Sequence, residues 1–222
     1  MSRMTKPKTS PEPLVKPSSS STSKKSTTIY TKACPTPTCL SGIEVALFHN
    51  PYRRDMSRTY KSFNTAYFKS QKPLNQTITD LIYVRRVSKK NELANAALEY
   101  RTFLFACQNG TYKFVSDRSD DITLMWFGAK AYDKWDRSNA DIMQYFYGDN
   151  RRKVVTRTIR AGTYYPIRVM WGNTGGAAAL SLKIYAPDGR QLFGFGHNGG
   201  SYLTTEACDG SYRKHPPFGH ER

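Results

Sequence analysis

Short strand-like segments recur along the chain, and in the first of them Ile43, Val45 and Leu47 alternate with polar or small residues at a period of two. The segments cover residues 43–47, 77–87, 101–107, 141–147, 154–159, 163–171, 178–185 and 191–195, and Gly, Asn, Asp or Pro separate them. Alternation of this kind is typical of half-buried strands, and many short strands divided by turn residues favour a β-sandwich or barrel. The pattern therefore predicts an all-β domain.

Two segments depart from this pattern. Leu93, Ala96 and Ala97 are spaced as on one face of a helix, which predicts a short helix over residues 89–98. Pro166 lies inside the strand predicted for 163–171, and proline has no backbone donor for a sheet ladder. We therefore expect a bulge or an edge strand at that position.

The segment 110–128 is predicted to be a strand, a polar loop and a second strand, entered as a hairpin through the turn Asn109-Gly110. Asp120 and Asp121 stand side by side where the loop enters the apolar run 122–127. Adjacent carboxylates at a core boundary repel each other unless a cation lies between them. The alternative is a solvated turn, because Asp favours turns in any case.

Residues 1–33 are rich in Ser, Thr, Lys and Pro and carry seven Lys or Arg against the single Glu12. A segment with so few aliphatic residues cannot bury enough apolar surface to fold, so it is predicted to be a disordered basic tail. Residues 34–222 form the single predicted domain. No stretch is long and apolar enough for a transmembrane helix.

The formal net charge of +17 raises the question of nucleic-acid binding. Part of the excess lies in the tail, and the rest is spread over the predicted strands. No helix-turn-helix, zinc finger or aromatic RNA-binding motif is present. We therefore expect no specific nucleic-acid partner, although a basic intracellular interaction protein remains an alternative.

The four cysteines, Cys34, Cys39, Cys107 and Cys208, fit neither a redox CxxC pair nor a zinc site. Cys34, Cys39 and Cys208 bracket the domain, which suits a bridge between its two ends, whereas Cys107 lies in an apolar run and is expected to be buried and free. Four cysteines allow three pairings.

Sequence features disagree about secretion. The sequons Asn75-Gln-Thr and Asn109-Gly-Thr and the cysteines favour it, but the N-terminus has no apolar signal-peptide core. Our interpretation is that the N-terminus of this chain is incomplete or starts at the wrong methionine.

Several motifs occur together in a fixed order. Gly42-Ile-Glu-Val-Ala46 follows Cys39 and precedes Asn50-Pro-Tyr52; further matches are Phe103–Ala106, Gly110–Phe114, Asp120-Asp-Ile122, Trp126-Phe-Gly128, Tyr165–Arg168, Gly172-Asn173, Pro187-Asp-Gly189 and Cys208-Asp-Gly210. This order over residues 34–222 resembles the GLEYA adhesin domains of fungi, which are related to yeast flocculin lectins and to the anthrax protective-antigen β-sandwich. The resemblance implies an antiparallel, lectin-like sandwich that is secreted or displayed on the cell wall.

The resemblance also implies a Ca²⁺ site that binds cell-surface glycans. In such lectins two aspartates joined by a cis peptide chelate the ion, here Asp120 and Asp121. The Asn173 side chain and the backbone carbonyls of Gly175 and Ala177 would complete the protein ligands, and sugar hydroxyls would fill the remaining positions. Gly176, at the tip of the same loop, would contact the sugar.

The loop 174–178 departs from the flocculins because it is small and apolar, so calcium alone would bind sugar weakly. Weak lectins act through many copies at a surface, and we expect a monomeric domain displayed multivalently. Trp135 and Tyr132 are candidate stacking platforms, with a core or rim position as the alternative. Asp117 is either an outer-shell helper or a turn residue.

We expect no enzymatic activity. Adjacent carboxylates that share an ion cannot flank a glycosidic bond at separations of roughly 5–9 Å. The histidines lie in loops, at strand ends or in the C-terminal segment, without a nucleophile arrangement. The alternative to a lectin is a basic interaction protein whose sandwich has lost lectin activity.

Overall fold

The computed structural model describes residues 35–52, 54–87, 93–197 and 199–221. The predicted tail, Cys34 and most of the N-terminal half of the predicted helix 89–98 lie outside these ranges. The described part of the chain is built almost entirely from antiparallel strands. The strands are β1 Ile43–His49, β2 Asn75–Thr79, β3 Tyr83–Val87, β4 Ala96–Phe105, β5 Gly110–Ser116, β6 Ile122–Phe127, β7 Ile142–Tyr145, β8 Lys153–Ile159, β9 Tyr164–Gly172, β10 Ala178–Ser181, β11 Lys183–Tyr185, β12 Gln191–Phe193 and β13 Leu203–Thr204.

The helical elements are short. They are α1 Thr65–Lys69, α2 Ala129–Asp133 and single 3-10 turns over Arg137–Asn139 and Gly199–Tyr202. None of the helices in the described ranges has the length and apolar composition needed to cross a membrane.

Two main sheets face each other. The larger sheet has the order β2-β1-β4-β9-β6-β7, with β13 also paired to β4, and the smaller has the order β12-β11-β5-β8. A separate pair joins β10 to β3. Because every described pairing is antiparallel, the prediction of an all-β antiparallel sandwich is confirmed.

The larger sheet is covered on both faces. On one face, Met125, Phe127 and Trp171 belong to the main core, which they share with Phe114 of the smaller sheet. On the other face, Trp126 and Met170 pack in a second core of buried aromatic residues from loops and from the C-terminal segment. A strand buried on both faces needs apolar side chains at successive positions, which explains the unbroken apolar run of β6.

The predicted hairpin 110–128 is wrong. β5 pairs with β8 and β11 in the smaller sheet, whereas β6 pairs with β7 and β9 in the larger one. The loop 117–121 therefore carries the chain from one sheet to the other. Both flanking segments are strands, as predicted, but an alternating or apolar run shows only that a strand is buried on one face or on both, and not which neighbours it pairs with.

Other element boundaries also differ from the predictions. The segment 77–87 forms two strands, β2 and β3, divided at residues 80–82, and 178–185 likewise forms β10 and β11. The predicted helix 89–98 is not formed in its described part, where residues 93–95 are a turn and β4 begins at Ala96. Pairing with β1 and β9 overrides the helical spacing of Leu93, Ala96 and Ala97.

Pro166 lies in a central strand, which corrects the prediction of a bulge or an edge. It stands opposite Phe103 in an unshifted register between β9 and β4. Its carbonyl accepts from the Gly128 N–H at 2.9 Å, beyond the last residue of β6. In antiparallel strands the N–H and C=O of one residue point to the same side, so the missing donor removes no bond to β4.

Cys39 and Cys208 form a disulfide that spans 169 residues of sequence, which agrees with the expected bridge between the ends of the domain. Cys107 is also disulfide-bonded, so the expectation that it is free is wrong. Cys107 lies two residues after β4 at a half-buried position. The apolar residues before it are part of β4, so they did not indicate a buried thiol.

The C-terminal segment closes the second core. The Glu221 carboxylate pairs with Arg101 at 2.8 Å and with Arg168 at 3.0 Å, and it accepts from the Trp135 indole N–H at 2.7 Å. Arg168 is fully buried and also pairs with Glu99. Buried charges of this kind persist only when they are paired and hydrogen-bonded, so the segment is an integral part of the fold.

Candidate functional site

The two aspartates stand where the chain enters the larger sheet. The backbone of Asp120 forms a bridge to Ala179, with N–O distances of 2.9 and 3.3 Å, and its carbonyl accepts from the Trp171 indole at 2.9 Å. The Asp121 N–H donates to the Gly172 carbonyl at 3.2 Å. The peptide bond between Asp120 and Asp121 is cis, in agreement with the resemblance.

The register of the sheet brings Asn173 opposite Asp121. β6 and β9 pair Ile122 with Gly172, and Asp121 and Asn173 are the next residues outward on each antiparallel strand. The loops before β6 and after β9 therefore meet at one end of the sandwich. The structure thus brings Asp120, Asp121 and Asn173 together, as predicted.

The Asp121 carboxylate is buried, with 5% of the residue exposed. Its Oδ2 accepts from the Thr174 backbone N–H at 2.6 Å and from the Thr174 hydroxyl. Its Oδ1 has no hydrogen-bond partner in the described residues, and no Lys or Arg among them forms an ion pair with Asp121. Buried carboxylates are normally paired or coordinate a metal, so this environment favours a cation beside Asp121.

Asn173 is fully buried and its amide is held in one orientation. Its Nδ2 donates to the Leu93 carbonyl at 3.1 Å, and its Oδ1 accepts from the Gly175 N–H at 3.0 Å. Asn50, also fully buried, donates to the Asn173 carbonyl at 2.9 Å and to the Tyr60 hydroxyl at 2.8 Å. Asn50 is a positioning residue that the sequence indicated only as the end of a strand.

The loop after Asn173 owes its shape to two glycines. Gly175 and Gly176 have φ values of +137° and +76°, which only glycine adopts without strain. A Cβ at either position would meet no atom within 4 Å, so the glycines serve conformation and not close packing. The backbone is therefore free of side chains where the carbonyls of Gly175 and Ala177 are expected to act as ligands.

The described residues contain no group of three or more His, Cys, Asp and Glu side chains that could hold a metal. The oxygens at this end of the sandwich belong to two carboxylates, the Asn173 amide and the backbone carbonyls of the loop after it. Hard oxygen ligands of mixed carboxylate and carbonyl type are those that Ca²⁺ prefers. Two carboxylates would also neutralise its charge.

Two exposed aromatic residues border the aspartates, and the sequence predicted them only as the end of the strand 141–147. Phe146 and Tyr147 are 44% and 43% exposed, and the Phe146 N–H donates to the Asp121 carbonyl at 2.7 Å. Burial raises the pKa of Tyr147, and the negative charges of Asp121 and Asp120 raise it further. They directly follow β7 and precede the turn at Gly148. Two consecutive aromatic residues just before a turn were the only sign of them in the sequence.

Trp135 is not a sugar platform. It is fully buried, its indole N–H donates to Glu221, and the Arg168 guanidinium lies 4.6 Å from its ring centroid. Tyr132 is half-buried against Phe103 and Tyr212. The core or rim alternative is therefore correct for both, because the short helix α2 turns them onto the sheet and not toward the aspartates.

Asp117 pairs with Lys183 at 2.6 Å and with Arg152 at 3.4 Å. Both cations lie on the smaller sheet or next to it, so this carboxylate fixes the start of the crossing loop. It is engaged as a loop residue, in agreement with the turn alternative.

Comparison with known proteins supports the fold. Residues 96–186 match the family model described as the GLEYA domain. The resemblance to GLEYA domains is confirmed. The matched segment runs from β4 to the residue after β11 and contains both aspartates and the Asn173 loop, whereas the motif at 42–46 lies outside it.

One curated relative is similar in sequence to part of this chain. "Putative cell agglutination protein pfl4" of Schizosaccharomyces pombe is 26% identical over 124 residues, which are 54% of this chain and 19% of that protein. The chain therefore spans about a fifth of the relative that it matches.

Solved structures share the fold. The A domain of epithelial adhesin 9 from Candida glabrata, in complex with Galβ1-4GlcNAc, has 14% identity and a TM-score of 0.55 over 73% of this chain and 90% of that one. The A domain of epithelial adhesin 6 from the same organism, in complex with Galβ1-3GlcNAc, has 18% identity and a TM-score of 0.52, over 73% and 87%. At these identities the likeness is one of architecture.

Proposed function

We propose that this chain carries a calcium-dependent, carbohydrate-binding adhesin domain that mediates cell adhesion at the fungal surface. The observation that carries the proposal is the buried Asp121 carboxylate, which has no cationic partner in the described residues and faces Asn173 across the sheet register. The GLEYA match and the likeness to glycan-bound adhesin domains support it.

Five groups would hold the ion: the carboxylates of Asp120 and Asp121, the Asn173 amide oxygen, and the carbonyls of Gly175 and Ala177. When bound, Ca²⁺ supplies open coordination positions that two neighbouring sugar hydroxyls can fill. The chain itself fixes the ligand positions, since Thr174 holds Asp121 and Asn50 holds the Asn173 backbone.

The rim of the site would supply the remaining sugar contacts. Gly176 is exposed at the loop tip and leaves room for a sugar ring. Phe146 and Tyr147 present aromatic surface beside Asp121, and the apolar face of a sugar packs well on such surface. Since few polar side chains in the loop would hold a particular sugar, affinity per site would be low and adhesion would depend on many displayed copies.

An enzymatic role has no support in the site. Asp120 and Asp121 are adjacent in sequence and lie on one side of the proposed ligand, whereas glycosidases need two carboxylates on opposite sides of the scissile bond. The GLEYA match also points to a binding domain. Secretion or display on the cell wall would follow from the adhesin role.

Calorimetric titration of Ca²⁺ into the full chain tests the proposal. We expect saturable binding to the parent and to Asp117→Asn, and none to the Asp120→Ala, Asp121→Ala double variant. Asp117→Asn is the matched control, because it removes a carboxylate of the same loop that already pairs with Lys183 and Arg152. A second arm titrates Galβ1-4GlcNAc in the presence of Ca²⁺ and after chelation.

Absence of Ca²⁺ binding to a folded parent would refute the proposal. The remaining candidate would then be a basic interaction protein that kept the sandwich without lectin chemistry. Binding to DNA that weakens steeply with added salt would support that candidate.

A further inference from the structure

A second depression lies next to the aspartate pair. It is a surface groove of about 610 Å³, and Tyr147, which borders the aspartates, is one of its walls. Arg58 and Thr59 form the facing wall, and Gly148, Asp149 and Arg151 complete the lining. The groove and the proposed calcium site therefore share one rim residue.

The walls of this groove are fixed by packing. A Cβ at Gly148 would lie 2.0 Å from the Arg58 carbonyl oxygen, so only glycine allows the two loops to approach this closely. Beneath them, the Arg137 guanidinium donates to the Thr59 carbonyl at 2.5 Å and lies 5.5 Å from the centre of the Tyr145 ring. Arg137 also donates to the carbonyls of Tyr60 and Phe63, at 2.9 Å each. The groove is thus a built feature of two interlocked loops.

Its charge is positive. Arg58 is exposed and forms no ion pair with any acidic residue in the described ranges. Arg151 is 85% exposed and shares the Asp149 carboxylate with Lys153, at 3.1 and 2.5 Å. These hydrogen bonds hold the pKa of Asp149 well below its usual range, so that carboxylate stays ionised. The groove is thus lined by two arginines and one aspartate, and Lys153 adds a second cation to that aspartate.

We infer that this groove binds an anionic substituent of the glycan, with Arg58 and Arg151 as the direct ligands. The inference rests on the proposed lectin site, because one sugar residue would sit at the aspartates and its charged group, or that of the next residue, would reach past Tyr147 into the groove. Guanidinium groups match the geometry of carboxylate, sulfate and phosphate oxygens, with which they form paired hydrogen bonds. The ligand class is therefore an acidic glycan.

The test compares matched neutral and anionic sugars in the presence of Ca²⁺. The pairs are galactose and galacturonic acid, mannose and mannose 6-phosphate, and N-acetyllactosamine and its 6-sulfated form, each titrated into the full chain. We expect at least one anionic member to bind about 10-fold more tightly than its neutral partner, in line with a charge-assisted hydrogen bond. The pair that shows the difference identifies the anion.

Variants locate the effect. Arg58→Gln and Arg151→Gln should each abolish most of the anionic preference and leave the neutral sugar unchanged. Arg190→Gln is the matched control, because it also removes one exposed arginine. Arg190 lies next to Asp188 in a turn, and Asp188 accepts from Gln108 just before β5, at the end of that strand away from the aspartates. It should leave the preference intact. Added salt should weaken the anionic sugar more than the neutral one.

The outcomes separate the two proposals. Equal binding of neutral and anionic sugars with calcium binding intact would overturn the acidic-glycan inference alone. An equal loss of preference in Arg190→Gln would also overturn it, since the effect would then be one of net charge. Failure of the parent to bind Ca²⁺, or of every sugar to bind a calcium-loaded parent, would overturn the lectin proposal and this inference with it.

Discussion

At the scale of single residues, His215 is the most unusual group in the described structure. Both ring nitrogens are buried without a hydrogen-bond partner, and the ring stacks on Phe103 at a centroid distance of 5.0 Å. Burial lowers the pKa of His215 to about 2, and the positive charges of Arg168 and Arg101 contribute in the same direction. The folded protein therefore holds this imidazole neutral.

This environment predicts a loss of stability in mild acid. Below pH 6.5 the unfolded chain binds a proton at His215 that the folded chain does not, so the free energy of unfolding falls as the pH decreases. The slope should approach about 1.4 kcal/mol per pH unit by pH 5. Urea unfolding at several pH values between 7 and 5 measures it, and His215→Phe should flatten the dependence. Parallel slopes in both proteins would contradict the prediction.

The residues alone revealed only part of the candidate site. Adjacent carboxylates at a core boundary marked Asp120 and Asp121 but left a solvated turn as the alternative, and only the resemblance to GLEYA domains implied that they and Asn173 act together as ligands. Trp135 could not be placed, because an isolated tryptophan in a loop packs on whichever face the preceding helix turns it toward. Tyr147 was hidden for a similar reason, since its exposure depends on where β7 ends.

At the scale of elements, three loops from different parts of the sequence cooperate to shape the site. The loop after β1 contributes Asn50, the loop before β6 contributes the aspartates, and the loop after β9 contributes Asn173. Their joint position follows from the order β1-β4-β9-β6 in the larger sheet. Alternating and apolar runs predicted strands over all or part of these elements but not their order, because order depends on side-chain fit between strands that are distant in sequence.

The link between the first and third loops gives a second prediction. Asn50→Ala removes the donor to the Asn173 carbonyl and leaves buried groups unpaired, so we expect a loss of about 1–3 kcal/mol in stability. Because the Asn173 loop loses its support, calcium affinity should also fall several-fold although no ligand is changed. Calorimetry and urea unfolding measure the two effects.

Asn64→Ala is the control for this experiment. Asn64 caps α1 by accepting from the Ala66 N–H at 3.0 Å, and the loss of such a cap costs about 1 kcal/mol. It should reduce stability without changing calcium affinity. If both variants weakened calcium binding alike, the effect would reflect general stability and not the support of the loop.

At the scale of the whole molecule, the disulfide between Cys39 and Cys208 ties the start of the domain to its C-terminal segment. The bridge closes 169 residues of chain, and the chain-entropy account assigns about 5 kcal/mol to a loop of this size. The double variant Cys39→Ser, Cys208→Ser should therefore lose several kcal/mol in urea unfolding under non-reducing conditions. An unchanged free energy of unfolding would show that the non-covalent contacts of the C-terminal segment already restrain the ends.

The ion pairs of Glu221 affect how the domain would respond to a pulling force. A force applied at Glu221 would first break its ion pairs to Arg101 and Arg168, and it would then detach the segment 209–221 from the sandwich. Fully extended, that segment lengthens to about 45 Å, after which the tension passes through the disulfide to Cys39. The segment 209–221 would thus detach before the sandwich unfolds. The loops that hold Asp120, Asp121 and Asn173 would stay folded while the segment 209–221 extends.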